Sequence, residues 1–343
     1  MKDVKIVNYL IGSQQPVFVI AEAGINHNGS YTIAKKMVDV AKKAGVSCVK
    51  FQTHIAEKEM IKSNMRPGNI SKKSLWEIIE SCELSEIEEE KLSKYCKENK
   101  ILFLSTPFSK DAVDRLENIR ISAYKIGSGE ITNLPFLHYI AEKNKPVILS
   151  TGMSTMKEIS EAVKIFKKHK NPLALLQTTS TYPSKYRDIK LGLIERLEKI
   201  FGVPVGISDH TPTIYTSLGA VAKGACIVEK HFTLDKKMPG PDQHFSLAPN
   251  ELAELVVGCQ AVKLALGNDK IILEEEIPIL KFARESVVAI KSIKKGEIFS
   301  NENISTKRPG TGPIPAREYF HVVSRKAKRN ITYDEQLSWN DIL

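Results

Sequence analysis

Eight short apolar runs, each followed by a segment of helical periodicity, constrain this chain more than any other feature of its 343 residues. The runs are VFVIAEAG (17–24), CVKFQTH (48–54), ILFLSTPF (101–108), AYKIGSGE (123–130), PVILSTG (146–152), LALLQTT (173–179), PVGISDH (204–210) and CIVEKHFT (226–233). Parallel strands buried on both faces read as near-continuous Val/Ile/Leu/Phe stretches, as most of these do. Between them, 30–45 shows an N-cap serine, apolar residues at Ile33, Met37, Val38, Ala41 and Ala44, and a closing glycine. Segments 155–169, 189–201 and 214–225 behave similarly. Eight strand–helix units are what an α/β protein of the (β/α)8 TIM-barrel type needs. A doubly wound sheet is the alternative. The chain has no GxGxxG, since Gly127-Ser128-Gly129 lacks a third glycine, and no Walker A loop, so the barrel is the reading.

The pattern breaks after Gly267. Residues 268–285 are charged, hold one proline and are expected to form a linker with a helical piece. From Ser286 to Leu343 short β-like runs alternate with turn signals such as Lys294-Lys295-Gly296-Glu297, which predicts a small β-rich C-terminal domain. A unit that small folds only marginally alone and is expected to pack on a barrel, its own or a neighbour's. The domains are thus expected at 1–267 and 286–343. The gap 55–100 is the longest between strands; its first half, Glu57 to Asn69, is expected to be a loop of the lid type on the carboxyl-end face, ahead of helices over 74–99.

Composition narrows the class. The net charge is +10, and residues 281–343 hold twelve Lys/Arg against seven Asp/Glu, half of the excess in under a fifth of the chain. Elsewhere lysines alternate with glutamates on helical faces, the usual solvated pattern. There is no arginine-rich arm, RNP motif or aromatic series, so nucleic acid is not expected as a partner, while small anionic substrates are. No run reaches membrane-spanning length and the amino terminus is too short and polar for a signal peptide, so no membrane partner is expected. Five cysteines without CxxC spacing read as reduced thiols of a cytoplasmic protein.

In a barrel the polar residues at strand carboxyl ends should form one coherent chemistry. Here they are Glu22, Lys50 with Gln52, Ser105 with Thr106, Lys125 with Ser128 and Glu130, Ser150 with Thr151, Thr178 to Tyr182, Ser208 with His210, and Glu229 with His231. A lysine inside a strand is costly unless paired or facing an anion, although a single one can snorkel to solvent. Two of them, with Thr106, Ser128, Ser150 and glycine turns nearby, predict a cradle for a phosphate-bearing anion. Glu22 reads either as the partner of Lys50 or as an acid/base or sugar-hydroxyl group. In 204–233 two strands joined by a helix would run parallel and bring His210 and His231 to one end. Two imidazoles beside a carboxylate suit a borderline divalent cation; unrelated loop histidines are the plainer alternative.

AEAGINHNG, VKFQ, LSTPF, KIGSGE, LSTGM, TSTYP, GISDH, IVEKHFT and GPD, in this order, resemble the sialic acid synthase family, and IKKGEIFSNENISTKRPGTG resembles its C-terminal antifreeze-like (SAF) domain. The resemblance runs essentially end to end. It implies condensation of phosphoenolpyruvate with an N-acetylhexosamine to give a nine-carbon 2-keto acid. Lys50, Thr106, Lys125, Ser128, Ser150 and Ser208 would hold phosphoenolpyruvate. Ser180 would join them, although some members carry asparagine there. His210 and His231 would hold a divalent metal, manganese or magnesium; Glu22, Gln52, Tyr182 and Asp242 would meet the sugar. Arg308, in KRPG, would reach into a partner subunit's site, which implies a domain-swapped homodimer. Glu22, Lys50, Lys125, His210 and His231 are the expected catalytic set. Gln243-His244 depart from the family pattern, in which histidine often follows the aspartate directly. FQTHIAEKEM…RPGN inclines the reading towards N-acetylmannosamine and N-acetylneuraminate; the alternatives are a diacetamido-trideoxy hexose giving legionaminic or pseudaminic acid, a synthase using a phosphorylated sugar, a metal-dependent hydrolase, and a non-catalytic carbohydrate-binding protein.

Overall fold

The computed structural model describes residues 2–66 and 73–343, and the chain divides into two compact units, Met1–Gly267 and Asn268–Leu343. The first opens with a hairpin of β1 (Val4–Ile6) and β2 (Tyr9–Ile11). Eight parallel strands follow: β3 (Phe18–Gly24), β4 (Cys48–Thr53), β5 (Leu102–Pro107), β6 (Tyr124–Ile126), β7 (Val147–Ser150), β8 (Leu173–Thr178), β9 (Val205–Asp209) and β10 (Ile227–His231). They hydrogen-bond in the order β5-β4-β3-β10-β9-β8-β7-β6, which leaves β5 and β6 as neighbours across an unladdered seam. Every expected run is a strand, and the result is a nearly closed TIM-type barrel.

The helices between them are α1 (Tyr31–Ala44), the short α2 (Ala56–Glu59), α3 (Leu75–Glu80), α4 (Glu86–Glu98), α5 (Lys110–Asn118), α6 (Leu134–Ala141), α7 (Met156–His169), α8 (Leu193–Phe201), α9 (Tyr215–Ala222) and α10 (Pro249–Leu264). Local chemistry sets their ends. In α1 the Ser30 hydroxyl accepts from Ile33 N–H, Gly45 closes the helix at φ 79°, and Ala34, Met37, Val38 and Ala41 form the buried stripe. α7 begins on a Thr155–Glu158 capping box. α8 starts at Leu193 rather than at Ile189, because Lys190 lies at φ 56° and breaks the helical run. Of the long loop after β4, residues 56–59 are helical, and 67–72, with the Pro67–Asn69 part of the expected lid, lie outside the described residues.

Two apolar layers result. Outside the barrel, strand residues such as Val19, Val49, Phe51 and Leu149 pack on the helical stripes. Inside its lower half, Phe18, Ile20, Leu104, Ile148, Leu176 and Ile227 meet Val4, Ile6 and Ile11 of the hairpin, which stoppers the amino end of the barrel. The inward side of β9 needs glycine at 206, where a Cβ would stand 2.3 Å from the carbonyl oxygen of Ile227. With the lower half filled by hydrocarbon, polar chemistry is confined to the carboxyl ends.

In the second unit the stretch expected as a linker holds α11 (Ile277–Ala283). After it, β11 (Ser286–Ala289) pairs antiparallel with β12 (Ile304–Lys307), and single bridges such as Ile293–Ile331 extend the β character up to and beyond α12 (Tyr319–Val322). Its own core contains Val287, Phe299, Ile304, Ile314 and Leu337, all fully buried. Among the described residues no helix is long and apolar enough to cross a membrane.

Candidate active site

The alternation of each strand decides which side chains enter the barrel. On β10, Glu229 and His231 point inward while Lys230 points outward, where its ammonium is buried against Asp209 at 3.0 Å and the Thr211 carbonyl at 2.5 Å. By the same parity Glu22, Lys50, Gln52, Thr106, Lys125, Ser150, Thr178, Ser208 and His210 meet at the carboxyl end. They line a cavity of about 210 Å³ together with Ser128, Ser180, Tyr182 and the glycines at 127 and 129. Of the sequence-predicted site residues only Asp242 and Arg308 are not in its lining. Asp242 stands next to it, with Oδ2 3.8 Å from His231 Nδ1. Arg308 belongs to the second unit, where its Nε donates to the Ala283 carbonyl.

At the centre is Glu229, to which the sequence reading gave no role. Its carboxylate accepts from Ser208 Oγ at 2.9 Å and lies 3.2 Å from Lys125 Nζ and 3.8 Å from Lys50 Nζ. Lys50 also sits 2.6 Å from Glu22 Oε2 and donates to Thr106 Oγ1 at 3.0 Å; Lys125 donates to Ser150 Oγ at 2.9 Å. Glu22 therefore pairs with Lys50, the first of the two readings raised for it, and it also borders the cavity.

Burial opposes charge on all four groups, and their neighbours divide them. Burial raises both carboxyls, but for Glu229 the ammonium groups of Lys125 and Lys50 outweigh it and hold the group well below the usual range. For Glu22 burial wins over Lys50, and its pKa is raised. Lys50, flanked by Glu22 and Glu229, is raised despite desolvation, whereas desolvation prevails at Lys125 and lowers it. Two adjacent carboxyls pushed apart in this way are suited to different tasks.

A second chain of bonds leads outward from Glu22. Gln52 Nε2 donates to Glu22 Oε1 at 2.9 Å, Gln52 Oε1 faces His54 Nε2 at 3.0 Å, and His54 Nδ1 lies 2.9 Å from Glu59. The His54 ring stacks on Phe108 at 4.4 Å, so the amide of Gln52 is held from behind.

On the far wall Tyr182 lies 4.2 Å, ring to ring, from His210 and 5.6 Å from Phe245. The imidazoles of His210 and His231 are 5.5 Å apart between centroids. His210 Nδ1 lies 2.8 Å from the Thr179 carbonyl, an acceptor only, so Nδ1 carries the hydrogen and Nε2 keeps its lone pair. Burial pushes His210 down to about 4 and His231 well below the ordinary value, so both are neutral near pH 7. His231 Nδ1, although buried, has no hydrogen-bond partner. Two neutral imidazoles, one with an orphaned nitrogen, fit a divalent cation. No cluster of three or more His, Cys, Asp or Glu side chains of metal-site type occurs among the described residues. Ser180 Oγ is a second orphaned buried group on the cavity wall. Buried polar atoms without partners are rare, and several around one cavity point to a polar ligand.

Gln243, the departure after Asp242, stands away from the cavity lining. Fully buried, it accepts from Thr233 Oγ1 and donates to the Asn26 carbonyl at 2.9 Å, while Asn26 Nδ2 donates to the Phe232 carbonyl and Ser246. This ties the loop after β3 to the loop after β10, so Gln243 shapes the rim without lining the cavity.

Comparison with known proteins identifies the family. Residues 37–271 match the NeuB family and residues 284–343 match the SAF domain. The chain is 41% identical to the N,N'-diacetyllegionaminic acid synthase of Campylobacter jejuni, over 92% of this chain and 97% of that protein. It is 33% identical to the human N-acetylneuraminate-9-phosphate synthase, over 95% of this chain and 93% of that one. The crystal structure of an N-acetylneuraminic acid synthetase from Leptospira borgpetersenii superposes with a TM-score of 0.74 at 35% identity, covering 81% of this chain and 95% of that one. The chain therefore belongs to the NeuB family, as an enzyme of the synthase type that ends in a SAF domain.

Proposed function

We propose that the protein joins phosphoenolpyruvate to the open-chain aldehyde of an N-acylated amino hexose, with water, to give a nine-carbon 2-keto sugar acid and inorganic phosphate. The observation that carries this reading is the pair of buried lysines, Lys50 and Lys125, flanking Glu229 in a small cavity lined by Thr106, Ser128, Ser150, Ser180 and Ser208. Two cations and a ring of hydroxyls suit a compact molecule that carries both a phosphate and a carboxylate. C3 of phosphoenolpyruvate attacks the aldehyde carbon and the aldehyde oxygen takes a proton. Water adds to C2 and loses a proton, and the C2–O bond to phosphate then breaks as the remaining hydroxyl proton passes to the departing phosphate and the keto group forms. Lys50 and Lys125 offset the negative charge of phosphate and carboxylate throughout. Glu22, its pKa raised, holds the proton for the aldehyde oxygen, and Glu229 stays ionised and fixes both ammonium groups. Gln52, Tyr182 and Asp242 orient the sugar. A manganese or magnesium ion on His210 and His231 would supply Lewis-acid polarisation of the aldehyde.

The sugar is the finer question. The sequence reading favours N-acetylmannosamine, and the sialic acid synthetase superposition is in keeping with it. A diacetamido-trideoxy hexose is the second reading, favoured by the higher identity to the diacetyllegionaminic acid synthase. For the assembly we propose a domain-swapped homodimer in which Arg308 serves the partner's site. The five buried free cysteines suit a cytoplasmic setting. The test is phosphate release from phosphoenolpyruvate with Mn²⁺, one sugar at a time, with and without EDTA. Metal-dependent release with one of these sugars supports the reading and names the product; release with none overturns it.

A further inference from the structure

A second cavity, of about 580 Å³, lies at the opposite, amino end of the barrel. Its walls come from the β1–β2 turn (Val7, Asn8, Tyr9), the end of α4 with the start of β5 (Ser93, Lys97, Lys100 to Phe103), and the segment before β6 (Ile119 to Ser122). It therefore opens where the barrel is unladdered, between β5 and β6. Its volume is in the range of small-molecule sites.

The lining is of two kinds. Ile101, Phe103 and Ile121 are buried and give an apolar floor, with the Tyr9 ring, 5.2 Å edge-on to Phe18, beside them. Lys97, Lys100 and Arg120 supply three cations, and the cavity lining includes no Asp or Glu. Among the described residues none of these three side chains makes a hydrogen bond or an ion pair. All three are exposed. Some cations of the same unit are engaged, as Lys42 is by the Asn99 carbonyl and Lys167 by the Phe201 carbonyl at 2.7 Å. Other exposed ones, such as Lys36 and Lys43, are equally without a partner among the described residues, so it is their convergence on one cavity that distinguishes Lys97, Lys100 and Arg120. The hydroxyls of Ser93, Ser122 and Tyr9 line the same space, likewise with no hydrogen bond among the described residues.

We infer that this cavity is a second ligand site, separate from the catalytic one, for a small organic anion that presents a phosphate or carboxylate to Lys97, Lys100 and Arg120 and lays a flat apolar body on Ile101, Phe103 and Ile121. The apolar floor gives area and the unpaired cations give direction, with Arg120 able to take two oxygens at once. Inorganic phosphate uses only the rim and a neutral aromatic only the floor, so each alone binds more weakly than a molecule that carries both.

The test is calorimetric titration of the full-length protein with 1-naphthyl phosphate, 1-naphthoate, 1-naphthol and inorganic phosphate. Saturable binding of naphthyl phosphate or naphthoate is expected, about tenfold or more tighter than naphthol or inorganic phosphate. Whichever of the two anions binds more tightly identifies the head group. Lys100→Gln with Arg120→Gln should weaken it about tenfold and leave kcat and KM for the synthase substrates unchanged. Lys125→Met, which disables the upper cavity, should leave the Kd of the probe unchanged. Three results would overturn the proposal: no saturable binding at millimolar probe, binding indifferent to Lys100 and Arg120, or binding that follows Lys125 instead. A failure of the condensation reaction would leave these expectations as they are.

Discussion

Glu229→Gln is the substitution that examines the site's electrostatics most directly. The wild-type carboxylate is 5% exposed and serves Lys125 at 3.2 Å, Lys50 at 3.8 Å and Ser208 at 2.9 Å. Glutamine retains the shape and an oxygen for Ser208 but removes the charge that offsets two buried ammonium groups. Lys50 keeps Glu22 at 2.6 Å, whereas Lys125 keeps only the Ser150 hydroxyl. Removing one partner from a buried ion pair costs about 3–5 kcal/mol, and the surviving Glu22 contact places this case near 3 kcal/mol, at about the lower end. The lysines should then be short of anion, so phosphoenolpyruvate should stabilise the variant more than it stabilises the wild type. At a hundredfold excess over Kd a ligand contributes about 2.7 kcal/mol, enough to recover most of the loss. The assay is urea unfolding followed by circular dichroism, with and without phosphoenolpyruvate. Glu251→Gln is the control, because its pairing with Lys236 is exposed and worth about 1 kcal/mol at most. A Glu229→Gln protein within about 0.5 kcal/mol of wild type, or one that phosphoenolpyruvate stabilises no further than wild type, would refute the reasoning.

Other parts of the structure make their own predictions. Gly206→Ala should destabilise the barrel by about 3 kcal/mol, because the new methyl meets the Ile227 carbonyl rather than a movable side chain, and a thermal melt reads this directly. His54→Ala should release the Gln52 amide, raising KM for the sugar several-fold with KM for phosphoenolpyruvate unchanged; equal changes in both would assign His54 a purely structural role. Burial raises Glu89 to about 7 despite Thr53 and Arg115, so the folded protein holds this proton more tightly than the unfolded chain. Stability should then fall as pH rises from about 4.5 through 7, and Glu89→Gln should remove that slope, on the order of 3 kcal/mol across the window, in denaturation curves at pH 5 and pH 8. Mixing inactive Arg308→Ala and Lys125→Met proteins under exchange conditions should restore about a quarter of wild-type activity if the arginine acts in trans, since half of the dimers are then mixed and each holds one intact site. No recovery would place the arginine in its own subunit's site.

The barrel was legible because doubly buried parallel strands leave long apolar runs that survive any uncertainty about their ends. The β1–β2 hairpin was not legible. VKI and YLI are three residues each, and only their packing under Phe18 and Ile20 makes them strands. Residue types at strand tips indicated the cradle, because an ammonium in VKFQ or YKIG has few other uses. Partnership was less visible. Glu229 could be seen at a strand tip, but nothing in CIVEKHFT says that it bridges two lysines from β4 and β6. Gln243 likewise reads as a change of sugar contact until its bonds to Thr233 and Asn26 are seen. Pairings across the barrel depend on strand order and register, which local sequence does not encode.

The charge arithmetic of the upper cavity bears on how it can accept so anionic a substrate. Lys50 and Lys125 face Glu22 and Glu229, so with both carboxyls ionised the pocket has no surplus of positive charge, whatever the formal excess of +10 on the chain. A molecule with a phosphate and a carboxylate must displace negative charge or bring positive charge with it. Glu229 is poorly placed to yield, because both lysines and Ser208 favour its ionised form. Glu22 is well placed, since burial already favours its neutral form and an incoming anion beside Lys50 favours it further. Substrate binding would therefore load a proton onto the carboxyl that Gln52 holds at the cavity wall, where an aldehyde oxygen would later need one. In this arrangement the entry of the anion and the readiness of the acid are the same electrostatic event.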